Sequence, residues 1–137
     1  MKLSKNFSLA EFSRSGAARK LGISNVIPPK YVPNIKTLVE QVLQPAREVL
    51  GLPIMVTSGY RCPALNKAVK GAATSQHLLG EAADLVPSDG TPQTLIRLFV
   101  ILMDGVFDQL ILERSGKKMW IHVSYRAGRN RQQVILY

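Results

Sequence analysis

This 137-residue chain has two histidines, one cysteine and 9 acidic residues against 18 basic ones, and these scarcities narrow its chemistry. With Cys62 alone no internal disulfide can form, so the fold must hold by packing. The same count excludes a zinc cluster built on several thiolates. No apolar run approaches the roughly 18 residues of a membrane-spanning helix. The start, MKLSKNFSLAEF, places polar residues every few positions, where a secretory signal would carry about 7 to 15 consecutive apolar ones. The expectation is a chain without a membrane span, made in the cytoplasm, that reaches any outside target by release or by another route of export. Internal repeats and low-complexity runs are also absent, and 46% of the residues are hydrophobic, which points to a folded body over a disordered tail.

At this length one domain spanning residues 1–137, acting as a monomer, is the expectation. The net charge of +9 attracts polyanions. The basic residues are spread over both ends (Lys2, Lys5, Arg14, Arg19, Lys20, then Lys117, Lys118, Arg126, Arg129, Arg131). That is a diffuse field without the concentrated stripe of a nucleic-acid groove, so nucleic acid is not an expected partner.

Apolar residues at three- and four-residue intervals from Val32 to Leu50 predict the main core helix, kinked at Pro45 and stopped by Gly51. Ser8 followed by Glu11 is a capping-box spacing for a short helix over Leu9 to Phe12. PIMVTSGYR reads as a buried strand ending in a turn, CPALNKAVKG as a short helix entered through Pro63, and EAADLV as a strand. TPQTLIRLFVILMDG predicts a second amphipathic helix capped by Thr91. FDQLILE, KMWIHVSY and RQQVILY, separated by turn residues, suggest a meander. The sum is an α+β fold, a small antiparallel sheet packed by helices.

The histidines sit at His77 and His122, and Asp84 follows His77 by seven positions in SQHLLGEAADL. A catalytic zinc takes three protein ligands and leaves a position open. His77, Asp84 and His122 are the residues able to supply such a set. Gly80 between the first two argues for a loop entering a strand, and Gly80 and Ala82 leave room for an ion. The spacing alone is common by chance and fits two core or surface histidines bonded to backbone.

SGYRCPALNKAVKGAATSQHLLGEAADL, followed by FDQLILE and WIHVSY, resembles the zinc D-alanyl-D-alanine carboxypeptidases, peptidase family M15, from about Phe7 to Tyr125. Within that family it most resembles the C-terminal peptidase domain type of the first subfamily. The resemblance implies a hedgehog/D-Ala-D-Ala peptidase-like fold, with Zn2+ held by His77, Asp84 and His122. It places Arg61 beside the scissile bond as oxyanion stabiliser and substrate contact, and Ser75, Gln76 and Trp120 around the substrate. Several family members carry the catalytic carboxylate three residues before the last histidine, where this chain has Met119. Glu113 is then the expected general base, with Asp108 as runner-up.

The implied function is hydrolysis of peptidoglycan stem or cross-link peptides, as carboxypeptidase or endopeptidase, with a phage lysin as one setting. Hedgehog signalling domains share the fold and a similar zinc site yet act by binding, so a non-catalytic cell-wall or protein-binding module is the alternative.

Overall fold

The computed structural model describes residues 1–137, and its elements grow from the local signals above. Helix α1 (Ala10–Ser13) starts where Glu11 Oε2 accepts from the Ser8 backbone N–H at 2.6 Å and from its hydroxyl at 3.1 Å. A second short helix that periodicity does not reveal, α2 (Gly16–Leu21), follows at once. Its evidence lies in its ends: Ser15 Oγ accepts from the Ala18 N–H, and Gly22 closes it with φ of 68°.

The main core helix runs as α3 (Val32–Leu38), a wide π-helical turn (Val39–Leu43) and α4 (Gln44–Leu50), ending at Gly51. The disturbance expected at Pro45 takes the form of that turn. Proline has no N–H and crowds the carbonyl four residues back, so a looser turn just ahead of it relieves both problems. Ile35, Leu38, Val39, Leu43 and Leu50 are buried on one side.

The strands are β1 (Ile54–Ser58), β2 (Ala82–Pro87), β3 (Gln109–Ser115), β4 (Lys118–Ser124) and β5 (Gln133–Leu136). Between them lie α5 (Pro63–Ala68), a 3-10 turn (Gln76–Leu79) and α6 (Pro92–Met103). The sheet order is β1-β2-β4-β3-β5, so the fold is α+β. Two expectations change. First, β1 is an edge strand and alternates in exposure, with Ile54 buried and Met55 half-exposed, because only one of its faces meets the core. Second, the last three strands do not form a meander. Both edges of β4 are taken by β2 and β3, so β5 cannot continue a meander from β4; it pairs with the outer edge of β3 instead, in parallel, making the sheet mixed.

Leu85, Leu110, Ile121 and Val123, all fully buried, point from the sheet toward α6 and the long helix and form one core with them. Successive side chains on a strand alternate between faces. Asp84, His122, Trp120 and Glu113 therefore stand on the opposite face, and the candidate site is built there.

Candidate metal centre

His77 is placed by two loops. The Ser75 hydroxyl accepts from the His77 N–H at 3.2 Å and caps the 3-10 turn, while the turn after β1 presents the Gly59 carbonyl 2.7 Å from His77 Nδ1. A carbonyl only accepts, so Nδ1 carries the proton and Nε2 is left with a bare lone pair. His77 is 2% exposed, and Nε2 is the one buried side-chain nitrogen or oxygen in the chain without a hydrogen-bond partner. Such an atom is costly unless something binds it.

Asp84 and His122 are brought beside it by strand register, being direct partners across β2 and β4. Asp84 Oδ1 lies 3.3 Å from His77 Nε2 and 3.1 Å from His122 Nδ1, and the two imidazoles meet edge to face with centroids 5.1 Å apart. One ligand atom from each of the three residues lies within 4.8 Å of the others, a grouping that can hold a metal ion. Ligand bonds of about 2.0 to 2.1 Å in a tetrahedron put neighbouring ligand atoms roughly 3.3 Å apart, the spacing found around Oδ1. The donor set of two imidazoles and one carboxylate fits a borderline divalent cation with a position to spare. Burial pushes the Asp84 carboxyl up, but His122 and His77 beside it more than reverse this and hold it well below the usual carboxylate range. It is therefore an anion, as a ligand must be.

Arg61 stands directly behind this set. Its Nη2 is 3.4 Å from Asp84 Oδ2, Nε donates to Ser58 Oγ at 3.2 Å, and Nη1 donates to Asn66 Oδ1 at 3.3 Å. The guanidinium is thus held on three sides. Gly71 makes this arrangement possible, because a Cβ there would collide with Asn66 Oδ1 and press on Arg61 Nη1. Gly80 serves a different end from the one expected. Its φ of 72° ends the 3-10 turn, and a Cβ would meet Ile35 at 2.9 Å, so its smallness admits the core helix and makes no room for an ion.

The two candidate bases separate clearly. Glu113 lies opposite Trp120 and diagonal to His122 on the same face, a diagonal of roughly 7–8 Å in antiparallel sheets. Its Oε2 accepts from the Trp120 indole N–H at 2.7 Å, and no cation pairs with it. Asp108, the runner-up, is 1% exposed and spends both oxygens on Arg131, at 2.8 and 3.0 Å. Those hydrogen bonds hold its carboxyl at about 2. Its geometry is that of an anchor for the loop between β4 and β5, and it does not line the cleft. Met119 belongs to the other face of β4, packed against the core, so a carboxylate at that position would point away from His122.

A cleft of about 870 Å³ opens over these groups. Ser75, Gln76 and Trp120 line it together with Arg61, Glu113 and the three metal-site residues. Gln76 also donates to Glu81 at 3.3 Å, tying the turn to a buried acid. The sequence did not single out Gly59 and Asn66, which position His77 and Arg61, or Arg126, Arg129 and Arg131, which border the cleft. The run RAGRNR directly after the strand of His122 is the signal that could have pointed to the arginines.

No curated protein matches the chain. The sequence model of the family described as Peptidase M15 matches residues 5–127, a span that contains His77, Asp84, His122, Arg61 and Glu113. The helices and the mixed five-stranded sheet are consistent with such a domain, and the grouped imidazoles and carboxylate are a suitable seat for the metal on which these peptidases depend. The chain belongs to the Peptidase M15 family of metallopeptidases.

Proposed function

We propose that the chain is a zinc peptidase that hydrolyses the stem or cross-link peptides of bacterial cell wall. The observation that carries this reading is the unpartnered Nε2 of His77, facing Asp84 and His122 at the floor of a cleft that also holds an unpaired carboxylate and a fixed guanidinium. His77 Nε2, Asp84 Oδ1 and His122 Nδ1 would hold the ion. When bound, zinc supplies Lewis acidity, polarising a carbonyl oxygen and lowering the pKa of water.

The remaining work falls to the chain's own groups. Glu113 has one oxygen fixed by the Trp120 N–H and the other free. The free oxygen takes a proton from the attacking water and returns it to the leaving amine, as general base and then acid. Arg61, tethered by Ser58, Asn66 and Asp84, offers a stationary positive charge to the oxygen on which negative charge develops. The apolar core beneath β2 and β4 keeps these side chains in register.

The positive net charge suits approach to an anionic envelope, a rate effect that fades with salt. Action as a monomer, on the wall and after release or export, belongs to the same proposal. The decisive experiment digests purified sacculi and defined muropeptides with zinc-replete protein and identifies the products by mass spectrometry. Loss of cleavage with a chelator and with His122→Ala, the former restored by zinc, is the expected result. Cleavage that survives both treatments refutes the reading.

One observation favours a second reading, a zinc-containing module that binds wall or protein without cutting. Position 119 carries Met and faces the core, so the acid that several family members use is missing. Zinc-replete protein that binds sacculi yet releases no product would decide for that module.

A further inference from the structure

The loop between β4 and β5 carries Arg126, Arg129 and Arg131, and all three border the cleft. Two of them are fixed from behind. Arg126 gives Nε and Nη2 to Glu81 Oε1 and Oε2 at 2.8 to 3.3 Å, and Arg131 gives Nε and Nη2 to Asp108. Both acids are buried, at 9% and 1% exposure, whereas the arginine side chains remain 34% and 48% exposed. In each guanidinium the Nη1 end makes no hydrogen bond within the chain.

The loop backbone is fixed as well. The Arg126 N–H donates to Asn130 Oδ1 at 2.9 Å, the Arg129 N–H donates to the Arg126 carbonyl at 3.0 Å, and Gly128 turns the chain at φ of 80°. Arg129 sits between the two fixed arginines. It is exposed and has neither a carboxylate nor a side-chain hydrogen bond of its own. Across the cleft the charges differ in kind: Asp84 is answered by Arg61 and two imidazoles, and Glu113 is held by an indole. Unanswered positive charge is therefore concentrated on the β4–β5 side, on a frame that two buried acids hold in shape. A preorganised donor set of this kind suits a planar anion.

We propose that this loop is a carboxylate-binding wall of the cleft, in which Arg129, flanked by the free ends of Arg126 and Arg131, takes a carboxylate of the bound peptide. The proposal rests on reading the cleft as a peptide site, and it names a specificity determinant for that site. The carboxylate can be the C-terminal one or that of an acidic residue within the peptide; the chemistry recognised is the same.

The test uses a stem peptide ending in D-alanyl-D-alanine and containing glutamate, its C-terminal amide, and its glutamine analogue. Cleavage by zinc-replete protein is measured as kcat/KM, and binding to zinc-replete Glu113→Gln by calorimetry, each with and without Arg129→Ala. With Arg129 present, one of the two neutral peptides should be worse by about 10- to 100-fold, the range of a charge-assisted hydrogen bond. Arg129→Ala should reduce that discrimination to about twofold or less, and Arg129→Lys should restore part of it. The peptide that suffers identifies the carboxylate. Equal discrimination with and without Arg129, or none in the parent, overturns the proposal. Discrimination in binding with no cleavage of any peptide leaves this wall standing and removes the peptidase reading instead.

Discussion

Asp84 divides its carboxylate between two tasks: Oδ1 lies 3.1 Å from His122 Nδ1, directly across the β2–β4 ladder, while Oδ2 meets Arg61 at 3.4 Å. The metal site and the guanidinium are therefore coupled through one side chain. Replacing Asp84 should disturb both, and Asp84→Asn is the sharpest probe because it keeps the shape and removes the charge. Loss of a direct ligand should exceed the 10- to 100-fold cost typical of outer-shell changes, so metal affinity should fall by more than about 100-fold. Competition with a chromophoric chelator measures it. A fall of less than about 10-fold, below the low end of outer-shell effects, would detach Asp84 from the ion.

Gly71 acts on Arg61 through Asn66. A methyl group at residue 71 has no space beside Asn66 Oδ1, so Asn66 must move and Arg61 loses one of its three tethers. Gly71→Ala should lower kcat by about 10- to 100-fold, the scale on which a displaced positioning group costs rate. Bound metal should stay at the parent's stoichiometry. Steady-state kinetics alongside metal analysis separates the two effects, and a parallel loss of metal would show that residue 71 supports the ligands themselves.

Trp120 and Glu113 form the other coupled pair, at 2.7 Å. Glu113→Gln removes the proposed base and should cost about 10² to 10⁴ in kcat, the usual contribution of general base catalysis. Trp120→Phe keeps the ring and deletes the donor; it should lower kcat by roughly tenfold with a smaller change in KM, since one charge-assisted hydrogen bond is lost. Unchanged kcat in both variants would remove Glu113 from the chemistry.

The Asp108–Arg131 pair predicts a pH dependence of stability. Hydrogen bonds from Arg131 outweigh burial and lower the Asp108 carboxyl from 3.8 to about 2. A carboxyl depressed by folding binds its proton more weakly in the folded state. Its stabilisation is therefore full above about pH 4 and is lost as pH falls toward 2. Urea unfolding at pH 7 and pH 3 should show the parent losing more stability than Asp108→Asn over that interval. Parallel losses would mean that the pair does not strengthen with ionisation.

The general class of fold was legible in sequence because it rests on short-range patterns, whereas spacing left the candidate metal residues open and only the family resemblance grouped His77 and Asp84 with the distant His122. Ser75 to Asp84 keep their order along a single turn and strand, and the core helix announces itself through the spacing of Ile35, Leu38, Val39 and Val42. Pairing was less legible. Strand β5 has the composition of a meander strand, yet its partner is decided by which edge is still open, a property of the assembled sheet. For the same reason Asp108 and Glu113, five positions apart in one run, look alike in sequence. Their surroundings separate them: Glu113 stands within β3 and lines the cleft, whereas Asp108 precedes the strand, is buried, and is held by Arg131. Gly80 misled in a similar way: a small residue beside a ligand reads as space for an ion, when the space is filled by Ile35.

The most direct test of the account is equilibrium dialysis against zinc with metal analysis, on the parent chain and on His77→Ala, Asp84→Ala and His122→Ala, with folding checked by circular dichroism. The expected result is about one tightly held zinc per parent chain and loss of that zinc from each folded variant. A parent chain that holds none, or folded variants that all retain it, would contradict the claim that these three side chains form the metal centre.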